Sequence, residues 1–80
     1  MEFDETKVDE ATLALLWLVT EKGDYGIPRA WKSFDWETMN RLYEKGLISD
    51  PKSKAKSVVV TEEGAERAEK LFKQMFGLSN

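Results

Sequence analysis

Eighty residues with 41% hydrophobic and 34% charged side chains describe one globular domain, residues 1–80, whose small core leaves stability marginal. Without cysteine there can be no disulfide framework or thiolate metal site, and without histidine the commonest nitrogen ligand and the usual acid–base group are gone. The net charge of −3 is uneven, −5 over residues 1–24, +3 over 25–60 and −1 over 61–80, so a basic middle lies between acidic ends.

The chain opens acidic where a signal peptide would be basic and then apolar. Its longest apolar run, 13–19, is far short of the roughly 20 residues of a membrane span. A cytoplasmic protein is expected, with no membrane partner.

A first helix is predicted over 7–22, with Thr6 and Asp9 as a capping-box-like start and Gly23 as a left-handed stop. Its apolar residues, from Val8 and Ala11 through Leu13, Leu15, Leu16, Trp17, Leu18 and Val19, cover more than one stripe. Such a helix is either central or turns its second face to a partner. Residues 23–27 read as a turn or short strand. Pro28 suits the first position of a short helix over 28–34, with Trp31 and Phe34 on its inner face. Asp35, with Ser33 competing, caps a third helix over 36–45 that turns Trp36, Met39, Leu42 and Tyr43 inward.

Gly46 ends that helix. Residues 47–49 start a strand, 50–56 form a polar turn opened by Asp50-Pro51, and the β-branched 57–60 return. Thr61 caps the last helix, with Glu62 and Glu63 at its positive end. Ala65, Ala68, Leu71, Phe72, Met75 and Phe76 make its inner stripe, and Glu63–Arg67, Glu66–Lys70 and Glu69–Lys73 lace its outer face. The expected fold is α+β, mainly α. It is winged helix-turn-helix-like: three helices, a two-stranded β-hairpin wing and a C-terminal helix.

Leu42, Gly46-Leu47-Ile48, Lys56 and Val60-Thr61-Glu62-Glu63-Gly64 resemble the signature of the MarR-like and PadR-like winged-helix regulators of bacteria. The segments RAWKSFDW (29–36), LYEKGLISDP (42–51) and KAKSVVVTEEG (54–64) together are similar to a family of small uncharacterised bacterial proteins. The first resemblance implies a fold used mostly to grip DNA. The second implies bacterial origin and no particular activity. The expected second helix is short for a helix-turn-helix, and no long flanking helix is present to build the regulators' dimer.

As a DNA reader the third helix carries the wrong charge. Its outer side would present Glu37 and Glu44 around an Arg41 paired with Glu37, where a major-groove helix offers cations and amides. The wing argues the other way. Lys52, Lys54 and Lys56 alternate with small residues, Lys45 ends the third helix, and Arg29 and Lys32 lie on the second. These seven cations, Arg41 included, are the candidate nucleic-acid contacts. Four or five phosphates would give a salt slope of about −4, which means weak, non-specific binding. Lysines on a turn serve equally to discourage edge-to-edge pairing.

The tryptophans, Trp17, Trp31 and Trp36, sit at core-compatible spacing and read as core. Ser49/Lys52 and Ser53/Lys56 fit a serine–lysine nucleophile pattern, but in a polar turn nothing desolvates the lysine. No hard-cation loop or phosphate-cradling glycine loop is present. The protein is read as non-enzymatic, with no cofactor, metal or small-molecule ligand. The expected function is weak DNA binding or transcription regulation through the lysine wing, by analogy with the fold's usual use, and the alternative is a protein-interaction module that binds no DNA. The latter would act through the first helix or the outer face of the third, toward a partner or a second copy.

Overall fold

The computed structural model describes residues 1–22 and 26–78. The elements are α1 (Glu5–Leu18), β1 (Glu21–Lys22), β2 (Pro28–Trp31), α2 (Trp36–Glu44), β3 (Ser57–Val59) and α3 (Glu62–Phe76), an α+β fold that is mainly helical.

α1 begins earlier than the capping-box reading placed it. Asp4 is the N-cap, its carboxylate accepting the Lys7 amide at 3.1 Å. Asp ranks with the best caps, so the first good one wins and Asp9 is released for another task. The helix also stops short, at Leu18. Thr20 turns its hydroxyl back to the Leu16 carbonyl at 2.5 Å, and the next two residues join the sheet. Gly23, the expected stop, lies outside the described residues.

The expected helix over 28–34 is instead β2. Locally Pro28 fits either element, because it lacks an amide hydrogen and is tolerated at the first residue of a strand. Non-local pairing decides. β2 lies between β1 and β3, antiparallel to both, with Arg29 opposite Glu21 and Val59, Ala30 opposite Val58, and Trp31 opposite Ser57. A seven-residue helix has little stability of its own, whereas the strand gains a ladder on both edges and buries Ala30 in the core.

The segments expected to form a hairpin do fold back on each other, but they share only one bridge, Ile48 opposite Val60. Around it the Ser49 amide donates to the Val59 carbonyl at 2.8 Å, and the Val59 amide donates to Ser49 Oγ at 2.8 Å. A side chain thus takes an acceptor role that a longer ladder would give to backbone. The main partner of β3 is β2.

α2 starts where the sequence placed it, with Asp35 accepting from the Thr38 amide and hydroxyl at 3.1 and 2.8 Å. It ends at Glu44 with Lys45 as its C-cap, and Gly46 follows with a φ of 76° that favours glycine. Thr61 caps α3, and Gly64 lets that helix approach Leu47: a Cβ there would run into the Leu47 carbonyl oxygen. The core joins Leu13 and Leu16 of α1, Met39 and Leu42 of α2, Leu47 and Ile48, Val58 and Val60, and Ala68 of α3. No helix among the described residues is long and apolar enough to cross a membrane.

Candidate functional site

The seven candidate cations divide into three groups. Arg29, now on β2, donates from Nε to Ser57 Oγ at 2.8 Å and from Nη2 to the Ser57 carbonyl at 3.1 Å. Lys32 follows the strand and bridges the polar turn, its Nζ donating to the Pro51 and Ser53 carbonyls at 2.7 and 2.6 Å. Both brace the sheet and its loop.

Arg41 and Lys45 turn toward α1. The Arg41 guanidinium meets Asp9 at 2.8 Å, reaches Glu5 at 3.2 Å and donates to Thr38 Oγ1 at 3.1 Å. Lys45 Nζ lies 2.8 Å from the other Asp9 oxygen. The expected Glu37–Arg41 pair is therefore replaced by a pairing between helices. The reason is burial: the Asp9 side chain is only 3% exposed, and an ionised carboxylate there requires partners. Burial pushes the Asp9 carboxyl up, while hydrogen bonds and charge from Arg41 and Lys45 outweigh it and hold it below the usual carboxylate range. A trace of this was present in the sequence. Asp9, Thr12, Leu13 and Leu16 share one face at i, i+3, i+4 and i+7, and all four are buried. A charge on a core stripe signals a buried pair.

Lys52, Lys54 and Lys56 remain, all exposed on the turn. Asp50 organises the start of that turn by accepting the Lys52 amide at 2.9 Å. Lys32 holds its carbonyls from below. The lysine cluster is thus a braced loop rather than the tip of a long hairpin.

Apolar surfaces are also uncovered, among them the end of α3, where Met75 and Phe76, expected on the inner stripe, lie beyond the core and are 43% and 48% exposed. On α1, Leu15, Leu18 and Val19 stand at i, i+3 and i+4, and Leu18 is 64% exposed. On α2, Trp36 and Tyr43, expected in the core, are 52% and 42% exposed. Met39 and Leu42 fill the buried arc of this nine-residue helix, so the aromatics at its edge stay in solvent. Trp17 does pack against the core as expected, and the side chain of Trp31 lies outside the described residues. Between the two α2 aromatics Asn40 donates to Glu44 Oε1 at 2.8 Å. No group of three or more acidic residues able to hold a metal ion is found among the described residues.

Residues 4–78 match the family model described as a domain of unknown function, DUF6429. The chain is 53% identical over 76 residues to the uncharacterized protein y4hR of Sinorhizobium fredii, covering 95% of this chain and 97% of that protein. No solved structure matches. With one family spanning almost every residue, and every element from α1 to α3 inside the match, the chain belongs to the DUF6429 family.

Proposed function

We propose that this domain is a non-enzymatic protein-interaction module on a winged-helix-like scaffold, in which strand β2 stands where a helix-turn-helix would place its second helix. The observation that carries the reading is the stripe of Leu15, Leu18 and Val19 on α1. Single exposed apolar residues are ordinary, but three at helical spacing on one face of a small domain make a patch. A helix laid against such a face would read it at i, i+3 and i+4. The scaffold supports this use, because α1 is anchored on its other side by Leu13, Leu16 and the Asp9 pairs.

The test places a photo-crosslinking amino acid at position 18 in cells, with position 54 in the lysine loop for comparison. Adducts to protein from position 18 that disappear with Leu15→Glu support the reading. Adducts from position 54 to nucleic acid, with none from position 18, overturn it.

One observation favours a second reading, a winged-helix-like DNA-binding or regulatory domain. Lys52, Lys54 and Lys56 are exposed on a loop that Lys32 braces. Three phosphate contacts imply a salt slope of about −2.7. On this reading duplex DNA binds at low salt, and the slope flattens when the three lysines become glutamine. Arg29, Lys32, Arg41 and Lys45 weigh against tighter binding, because each already donates within the fold.

A further inference from the structure

We infer that the solvent face of α2 is a docking surface for a cationic segment of another protein, with Trp36 and Tyr43 as its platform and Glu37 and Glu44 as its charges. This surface is separate from the α1 stripe, and the inference does not depend on it.

Geometry comes first. Trp36 and Tyr43 are seven residues apart, two turns of helix, so their rings stand on one side about 10 Å apart along the axis. Asn40 lies between them, and Glu37 and Glu44 flank it on the same exposed arc. Aromatic side chains are among the residues enriched where proteins dock, because they offer large area at little conformational cost. Here two of them are half-exposed on one nine-residue helix whose apolar contribution to the core is already met by Met39 and Leu42.

Charge then selects the occupant. The two cations of α2 turn away from this face: Arg41 and Lys45 both bond Asp9 on α1. Counting Asp35, Glu37 and Glu44 with Glu5 and Asp9 against Arg41 and Lys45 gives −5 and +2, a local charge of −3. A phosphate backbone would be repelled here, and an acidic peptide likewise. Arginine or lysine is attracted both by the glutamates and by the faces of the rings, Trp being the best cation–π acceptor. A second copy of this chain would bring the loop with Lys52, Lys54 and Lys56, interleaved with Ser53 and Ala55. That loop could meet the charges but has no large apolar side chain to set against the rings. The fitting partner is a segment of another protein that mixes arginine with apolar residues, and docking of a second copy through its exposed Lys73, Met75 and Phe76 is the competing outcome of the test.

The test titrates the full-length, isotope-labelled protein with a synthetic arginine/leucine peptide and with its glutamate/leucine counterpart of equal length. Amide shifts and the Trp36 indole N–H are the readout. The arginine peptide is expected to shift Trp36, Asn40 and Tyr43, and to bind about 5-fold more weakly to Trp36→Ala. The double substitution Glu37→Gln, Glu44→Gln is expected to remove most of the salt dependence. Both variants change exposed side chains, and unchanged resonances of Asp9 and Arg41 confirm that the fold is intact. Equal binding of the two peptides overturns the inference, as do shifts confined to other elements or none up to about 1 mM peptide. Shifts of the same α2 residues on concentrating the protein alone also overturn it, assigning the face to self-association.

Discussion

Asp9 and Arg41 join α1 to α2 across 32 positions of sequence, through Nε bonds of 2.9 and 3.1 Å to the two carboxylate oxygens and an Nη2 contact at 2.8 Å. Lys45 adds a third donor group from the next turn of α2. The buried carboxylate is thereby matched on both oxygens, which is the condition under which a desolvated ion pair holds rather than weakens a fold.

Replacing Asp9 by asparagine keeps the volume and removes the charge that two cations were arranged to meet. The expected loss is about 2–3 kcal/mol, read as a lower urea midpoint with an unchanged slope. Glu5→Gln is the contrast. Glu5 reaches the same guanidinium at 3.2 Å from an exposed position, and its loss is expected to fall below about 1 kcal/mol.

The same carboxylate sets a pH dependence. Its folded pKa is lowered, so its stabilisation is fully present above the unfolded value of about 3.9 and is lost as pH falls through the lower folded value. Asp35 acts in the same direction, because hydrogen bonds from the Thr38 hydroxyl and amide favour its charged form. Stability is expected to be level near neutrality and to decline below about pH 4. Asp9→Asn flattens that decline, as a series of urea midpoints between neutral and acid pH will reveal.

Two glycines rank in a fixed order. Gly64→Ala drives a methyl into the Leu47 carbonyl, a backbone atom that cannot step aside, and about 3 kcal/mol is expected. At Gly46 there is open space around a Cβ, so only the positive φ is strained and about 1 kcal/mol is expected. Equal losses at the two positions would contradict the close contact between α3 and Leu47.

Lys32 holds two turn carbonyls, and Lys32→Met removes both donors while keeping most of the stem. Amide exchange across residues 50–56 is expected to accelerate while the amides of α1 keep their protection. Acceleration throughout the domain would instead make Lys32 part of the global core.

What was legible in the chain was whatever local chemistry decides. Asp35, Gly46 and Thr61 mark helix ends through atoms within a few residues of themselves, and each does so in the structure. Residues 28–34 depart from the expected helix because the spacing of Pro28, Trp31 and Phe34 suits a short helix, while the strand depends on Val58 and Val59 far along the chain. The cations follow the same rule. Lys52, Lys54 and Lys56 are exposed, since a polar turn exposes its side chains. Arg29, Lys32, Arg41 and Lys45 find acceptors 28, 19, 32 and 36 residues away, and the charge of Asp9 on the core stripe of α1 signals a buried pair without naming its partners. Trp36 and Tyr43 failed for a different reason: helical spacing says which side a residue occupies, not whether the core has room for it.

Thr61 Oγ1 donates to the Gly46 carbonyl at 2.8 Å and accepts the Gly64 amide at 3.0 Å. One hydroxyl therefore closes the exit from α2 and opens the entrance to α3, as a rivet passes through two plates. Prising the plates apart at this point breaks the hydroxyl's bond to Gly46 and the Thr61 amide's bond to the Leu47 carbonyl at 3.1 Å, while the cap on Gly64 stays with α3.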